Sequence, residues 1–256
     1  MENRDNYFSP WAARTFGFIL LWAFVAYGGG DSWMVSLRAK HLSSLSFSGP
    51  VAHEVASAGF LLLSNSLGVV LLGALLFPLL WHHGAPGVAA GYLATRVAEA
   101  LLLAAGVVAQ LLLVPLSAAR LTGDGGSAEG SAAPRTGGGR GGGGVSRADL
   151  ADLLVSANFY CFQIAMLALG LGSLPVCLLL LRRRLLPAWM AAWGLLGYSL
   201  LATGCVAELH GAREGTGVAL AIPGGLWEMA LGLWLLARGG FLPGNSGGAS
   251  SAKKQS

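Results

Sequence analysis

The sequence predicts an all-α fold, a polytopic transmembrane helix bundle of about six spans. Hydrophobic residues make up 54% of the 256 residues and charged residues only 11%. An ordinary soluble domain carries roughly 25% charge, because its surface must be solvated. The mean hydropathy of +0.63 agrees, and the few charges leave runs long enough to cross a bilayer. This composition excludes an ordinary soluble domain, a disordered chain and a nucleic-acid binder built on a basic face. The excess of 16 basic over 12 acidic residues calls for no polyanionic partner. The expected partner is the lipid bilayer, not nucleic acid.

Each span follows from the need for about 20 mostly apolar residues, at ~1.5 Å apiece, to cross ~30 Å of hydrocarbon. No charged residue lies between Glu54 and Arg96, which places a span at 58–81. A second charge-free run, 153–181, ends at Arg182, Arg183 and Arg184, and 185–206 follows directly with Pro187 in its first turn. Two further apolar segments carry charge within them: 87–116 holds Arg96 and Glu99, and 217–237 holds Glu228. The remaining segment, 15–30, is short and ends in Gly28, Gly29 and Gly30. Arg4 and Arg14 ahead of it and a small-x-small pattern at its end would also suit a signal peptide. A retained first helix is preferred, giving one six-span domain over 15–242 between an N-terminal tail, 1–14, and a C-terminal tail, 243–256, read as disordered.

Loop charges set the expected orientation. With the N-terminus inside, eight Lys and Arg fall inside and seven outside. The triple arginine against two helix ends decides for cytoplasmic N- and C-termini in a cell (cytoplasmic) membrane. Trp81, Trp189 and Trp193 then sit at the inner boundary as interfacial anchors.

Between the spans, 122–146 is rich in Gly, Ser and Ala and reads as a flexible linker. A phosphate-cradling loop would need a terminal GK[ST] between strand and helix, which is absent. The loop 31–54 reads as an irregular connector or an interfacial cap. Cys161, Cys177 and Cys205 are an odd number without a CxxC, so they read as packing residues. Gly87 with Gly91, and Gly194 with Gly197, suit close helix contact.

The candidate site is intramembrane. A charge at mid-bilayer costs about 2.5–3.5 kcal/mol on insertion scales, so Arg96, Glu99 and Glu228 must face the interior and find partners. Arg96 and Glu99 are three apart and share a helix side. Helical rise puts Arg96 ~12 Å, Glu99 ~16 Å and Glu228 ~18 Å from the inner boundary. Asn65, Gln163, Tyr198 and Ser199 are expected at similar depth, completing a polar layer. Such a layer fixes helix register if the charges only neutralise one another. Alternatively, one guanidinium against two carboxylates leaves a spare acid to carry a proton, a cation or a polar solute. The clamp is preferred because Arg96 is there to neutralise.

His41, His53 and His210 fall on the expected outer side, with Glu54 and Glu208 beside two of them. His53, His210 and Glu208 are the candidate metal ligands, since His and carboxylate suit zinc. No histidine lies deep enough for a b-type haem. There is no HExxH, and no catalytic residue and no cofactor is assigned.

The segments FILLWAFVAYGG, GVVLLGALLFPLLWHH, GYLATRVAEALLLAAG, LLPAWMAAWGLLGY and LWEMALGLWLLARGGF resemble, in order, a large family of bacterial six-helix membrane proteins. That family is catalogued only as domain of unknown function 4386. Its most specific traces here run from Gly91 and Tyr92 through Arg96 and Glu99, and from Leu226, Trp227 and Glu228 through Gly232, Leu233 and Trp234. Pro187, Trp189 and Trp193 match its fifth helix. The resemblance implies a bacterial cytoplasmic membrane protein with its first helix retained, and no activity. The chain departs from it in the glycine-rich insertion.

The functional expectation is a non-enzymatic membrane protein with a polar layer that is structural or binds a small lipid-like or polar ligand. The alternative is a proton- or cation-coupled small-molecule transporter using Glu99 or Glu228. A third reading is a metal-dependent membrane hydrolase using the outer His and Glu residues.

Overall fold

The computed structural model describes residues 9–123, 146–213 and 215–242. The expected linker 122–146 lies outside them except at its ends. The tail 243–256 and residues 1–8 of the N-terminal tail lie outside them as well.

Seven helices follow in order: α1 (Pro10–His41), α2 (Pro50–His82), α3 (Pro86–Leu111), α4 (Leu113–Gly123), α5 (Arg147–Arg182), α6 (Ala188–Leu209) and α7 (Thr216–Arg238). There is no strand among the described residues. Six helices are long and apolar enough to cross a membrane, with α3 running on into α4 as one span to Ala119. Proline opens α1, α2 and α3, where its missing N–H costs no helical bond. Ser146 caps α5 through a reciprocal bond with Asp149. The expectation for the first span is corrected here. α1 does not stop at Gly30 but continues to His41, so only 42–49 connects it to α2. In a bilayer no water competes for backbone N–H groups, and Gly30 is held against α2. A methyl there would come within 2.9 Å of Leu62.

Each span packs on its neighbours in sequence, and α7 packs back on α1. The six therefore close into a ring in which α1 faces α5, α2 faces α6 and α3 faces α7. Large apolar side chains point outward on every span, among them Phe18, Phe60, Leu101, Leu171, Leu196 and Leu233, as a lipid-facing surface requires.

One end of the ring carries Arg14, Arg182, Arg183, Arg184 and Arg238, with Trp11, Trp81 and Trp189 exposed around it. This is the arginine end of the ring. Near it lies the larger core, built on Phe16, Leu72, Leu80, Tyr92, Leu180, Met190, Trp227 and Leu235. A smaller core at the far end holds Met34, Phe47, Val55 and Leu113.

Small residues draw α6 and α7 together. A methyl on Gly194 would meet the Trp227 ring at 2.5 Å, and one on Gly197 the Gly224 Cα at 2.7 Å. Gly87 and Gly91 have nothing within 4 Å of such a methyl, so their spacing is not a helix contact in this bundle.

Candidate functional site

Level on each helix follows from its distance to the arginine end. Arg96 is ten residues beyond Pro86, Tyr198 ten beyond Ala188 and Glu228 ten before Arg238. All three therefore stand about 15 Å in, half-way through ~30 Å of hydrocarbon. α3 and α7 are opposite in the ring, so a side chain from each can meet across its centre.

Arg96 occupies that centre with 4% of its surface exposed, beside Glu99 at 2%. Its Nη1 donates to Glu99 Oε2 at 3.0 Å and its Nε to the Tyr92 hydroxyl at 2.9 Å. Its Nη2 lies 4.0 Å from Glu228 Oε1 across the lumen. Tyr198 of α6 donates to the same Glu228 oxygen at 2.6 Å and stacks edge-on against Trp227. The Trp227 indole in turn donates to the Met190 carbonyl at 2.6 Å. On the α2 side, Gly73 leaves the room. A methyl there would approach Arg96 Cβ to 3.0 Å.

A small cavity adjoins the layer, walled by Leu20 of α1, Leu76 of α2, Arg96 of α3, Ser173 of α5, Tyr198 of α6 and Glu228 of α7. It offers about 20 Å³ to the centre of a water molecule, where one water needs about 10–15 Å³. Ser173 Oγ is buried there without a hydrogen-bond partner, and a water would satisfy it. The Glu228 side chain is 15% exposed.

Chemically, one guanidinium faces two carboxyls in a region of low dielectric. A net charge there is expensive; the guanidinium matches one carboxyl, and the second is spare.

The structure brings Arg96, Glu99, Glu228 and Tyr198 together. It does not bring Asn65 or Gln163 into the layer, and this corrects the expected depth of both. Asn65 is seventeen residues from His82, about 26 Å from the arginine end, and Gln163 is nineteen from Arg182, about 29 Å. α5, at 36 residues about 54 Å long, overruns ~30 Å of hydrocarbon, so a residue near its middle lies well beyond mid-bilayer as counted from the arginine end. Ser199 bonds its own helix at Leu195 O.

The candidate metal ligands are not brought together either. Glu208 is buried and accepts from Gln163 Nε2 and from the Gly215 and Gly217 amides at 3.0 and 2.8 Å. It is thus the anion at the start of α7, where free N–H groups and the helix dipole favour one. His53 is on α2 and His210 ends α6, helices that face one another across the ring. His210 Nδ1 contacts Val206 O. Among the described residues no group of three His, Cys, Asp or Glu could hold a metal.

Sequence reasoning missed Tyr92 as a partner of Arg96, although its place one helical turn before it was the available signal. It also missed the anchoring role of Glu208, whose signal was a carboxylate just ahead of a glycine-bounded helix start.

The ring and its paired interior charges define a multi-pass α-helical membrane protein. The chain belongs to the family described as Domain of unknown function (DUF4386), whose model matches residues 15–239. No curated protein and no solved structure matches it.

Proposed function

We propose that this is a non-enzymatic membrane protein in which the Arg96–Glu99–Glu228 layer acts as an internal strut. The observation that carries the reading is the placement of Arg96 between Glu99 on its own helix and Glu228 on the opposite one. Every donor-bearing nitrogen of the guanidinium then has an oxygen within 4.0 Å. The adjoining cavity has room for a water or two, too little for an organic solute. The basic side chains of the arginine end support a cytoplasmic placement of that end in a cell membrane.

A second reading is favoured by the spare carboxyl, which borders the cavity: Glu228 as the proton carrier of a coupled transporter. The test is Glu228→Gln, read for both stability and flux. As a strut, the variant unfolds at lower temperature in detergent, and wild-type proteoliposomes dissipate an imposed pH gradient no faster than empty vesicles. Wild-type proton flux abolished in a variant of unchanged stability overturns the strut and establishes the carrier.

A further inference from the structure

A second polar pocket lies well away from the strut, toward the far end of the ring. Asp31 is twenty-one residues beyond Pro10, Gln110 twenty-four beyond Pro86, and Asn158 twenty-four before Arg182. These counts correspond to about 31–36 Å from the arginine end, at the edge of the hydrocarbon. The three side chains and Tyr27 line one small cavity between α1, α2, α3 and α5.

Not every polar group there is satisfied. Gln110 is 1% exposed, and its Oε1 is buried without a hydrogen-bond partner. Asp31 forms no ion pair within 4.0 Å among the described residues. The charge of Arg38, two turns further along α1, acts on it without forming such a pair. Asn158 Oδ1 is seated against the bare backbone of Gly106, where a methyl would stand 2.7 Å from it. One turn nearer the arginine end, Tyr27 stacks on Phe162 at 5.4 Å. That pair joins opposite helices and floors the pocket.

We propose that this pocket binds a hard monovalent cation of the sodium type. Its donors are oxygens: one carboxylate, two amide carbonyls and a phenol. Oxygen sets suit hard cations rather than zinc or copper, which take nitrogen or sulfur. A single carboxylate neutralises a single positive charge, and a net charge left at this depth would be costly. The cavity offers about 10 Å³ to the centre of a water-sized sphere, enough for one bare ion. Magnesium keeps several of its waters and does not fit. The bound ion supplies the partner that Gln110 Oε1 and the Asp31 carboxylate lack.

The test uses the full chain in detergent, titrated with NaCl against choline chloride at constant ionic strength and pH. Thermal unfolding and calorimetric binding are both followed. The expected result is a saturable, sodium-specific rise in the unfolding temperature. Asp31→Asn weakens the apparent sodium affinity at least tenfold, and Gly106→Ala, which displaces Asn158, weakens it severalfold. Glu228→Gln leaves it unchanged, which separates this site from the strut. Absence of a sodium-specific shift in the wild type, or an equal shift in Asp31→Asn, overturns the proposal. Should Asp31→Asn not fold, Gln110→Leu takes its place, with weakened sodium affinity expected and an undiminished shift overturning the site.

Discussion

Two polar regions share one ring of helices and are settled differently. At mid-depth, Arg96, Glu99, Glu228, Tyr92 and Tyr198 satisfy one another, with Ser173 Oγ as the exception. Near the far end, Asp31 and Gln110 line a pocket with, among the described residues, an unpartnered buried oxygen and a carboxylate outside any ion pair. Both lie on the inside of the same bundle, so burial does not distinguish them. What separates an internal brace from a ligand shell is whether the protein supplies the counter-charge itself. At mid-bilayer it must, because no free ion is at hand to do so. At the hydrocarbon edge an ion from solution can.

The largest effect that would break this contrast is at Arg96. Removing one partner of a buried ion pair costs about 3–5 kcal/mol, because the remaining charge is left uncompensated. Arg96→Leu should therefore lower chemical-unfolding stability in detergent by about that amount. A change below about 0.5 kcal/mol would place Arg96 among ordinary surface substitutions and remove the brace. Glu208→Ala comes next. It strips the Gly215 and Gly217 amides and Gln163 of their acceptor, and a lost buried partner costs about 1–3 kcal/mol. Hydrogen exchange should quicken at the start of α7 and leave the Arg96 level protected.

The contrast was only partly legible in the sequence. Apolar runs located six spans, four of them free of charge, because charge is so costly inside hydrocarbon that its absence is itself a signal. The meeting of Arg96 with Glu228 followed from rise per residue along two well-bounded helices. The same arithmetic misplaced Gln163 and Asn65, since depth counted from hydropathy alone is off by whole turns when a helix overruns the hydrocarbon. α5 does so, at 36 residues. The Asp31 pocket was not legible at all. Three glycines just ahead of Asp31 read as the end of a helix, yet in the absence of competing water α1 runs through them. The partners Gln110 and Asn158 come from other helices, and no local spacing announces them.

The smallest expected effect lies outside the membrane, at His83 beside the arginine end. Burial, reinforced by Arg183 and His82, pushes its pKa below the ordinary 6.5. A base whose folded pKa is lowered stabilises the fold when neutral. That contribution is complete above about pH 6.5 and is lost as pH falls through the lowered folded value. Wild-type unfolding temperature should therefore decline on acidification below that point more steeply than that of His83→Gln. Parallel curves for the two proteins would show that His83 makes no such contribution.

The central claim is that Arg96 and Glu228 brace opposite helices, and a double-mutant cycle tests it most directly. Arg96→Leu, Glu228→Gln and the double variant are unfolded in the same detergent alongside the wild type. Groups in one polar network couple by about 0.5–3 kcal/mol, whereas independent sites add. A brace predicts a double variant markedly more stable than the sum of the two single losses implies, because the Arg96–Glu228 interaction that each single change removes can be lost only once. Strict additivity of the two losses would contradict it.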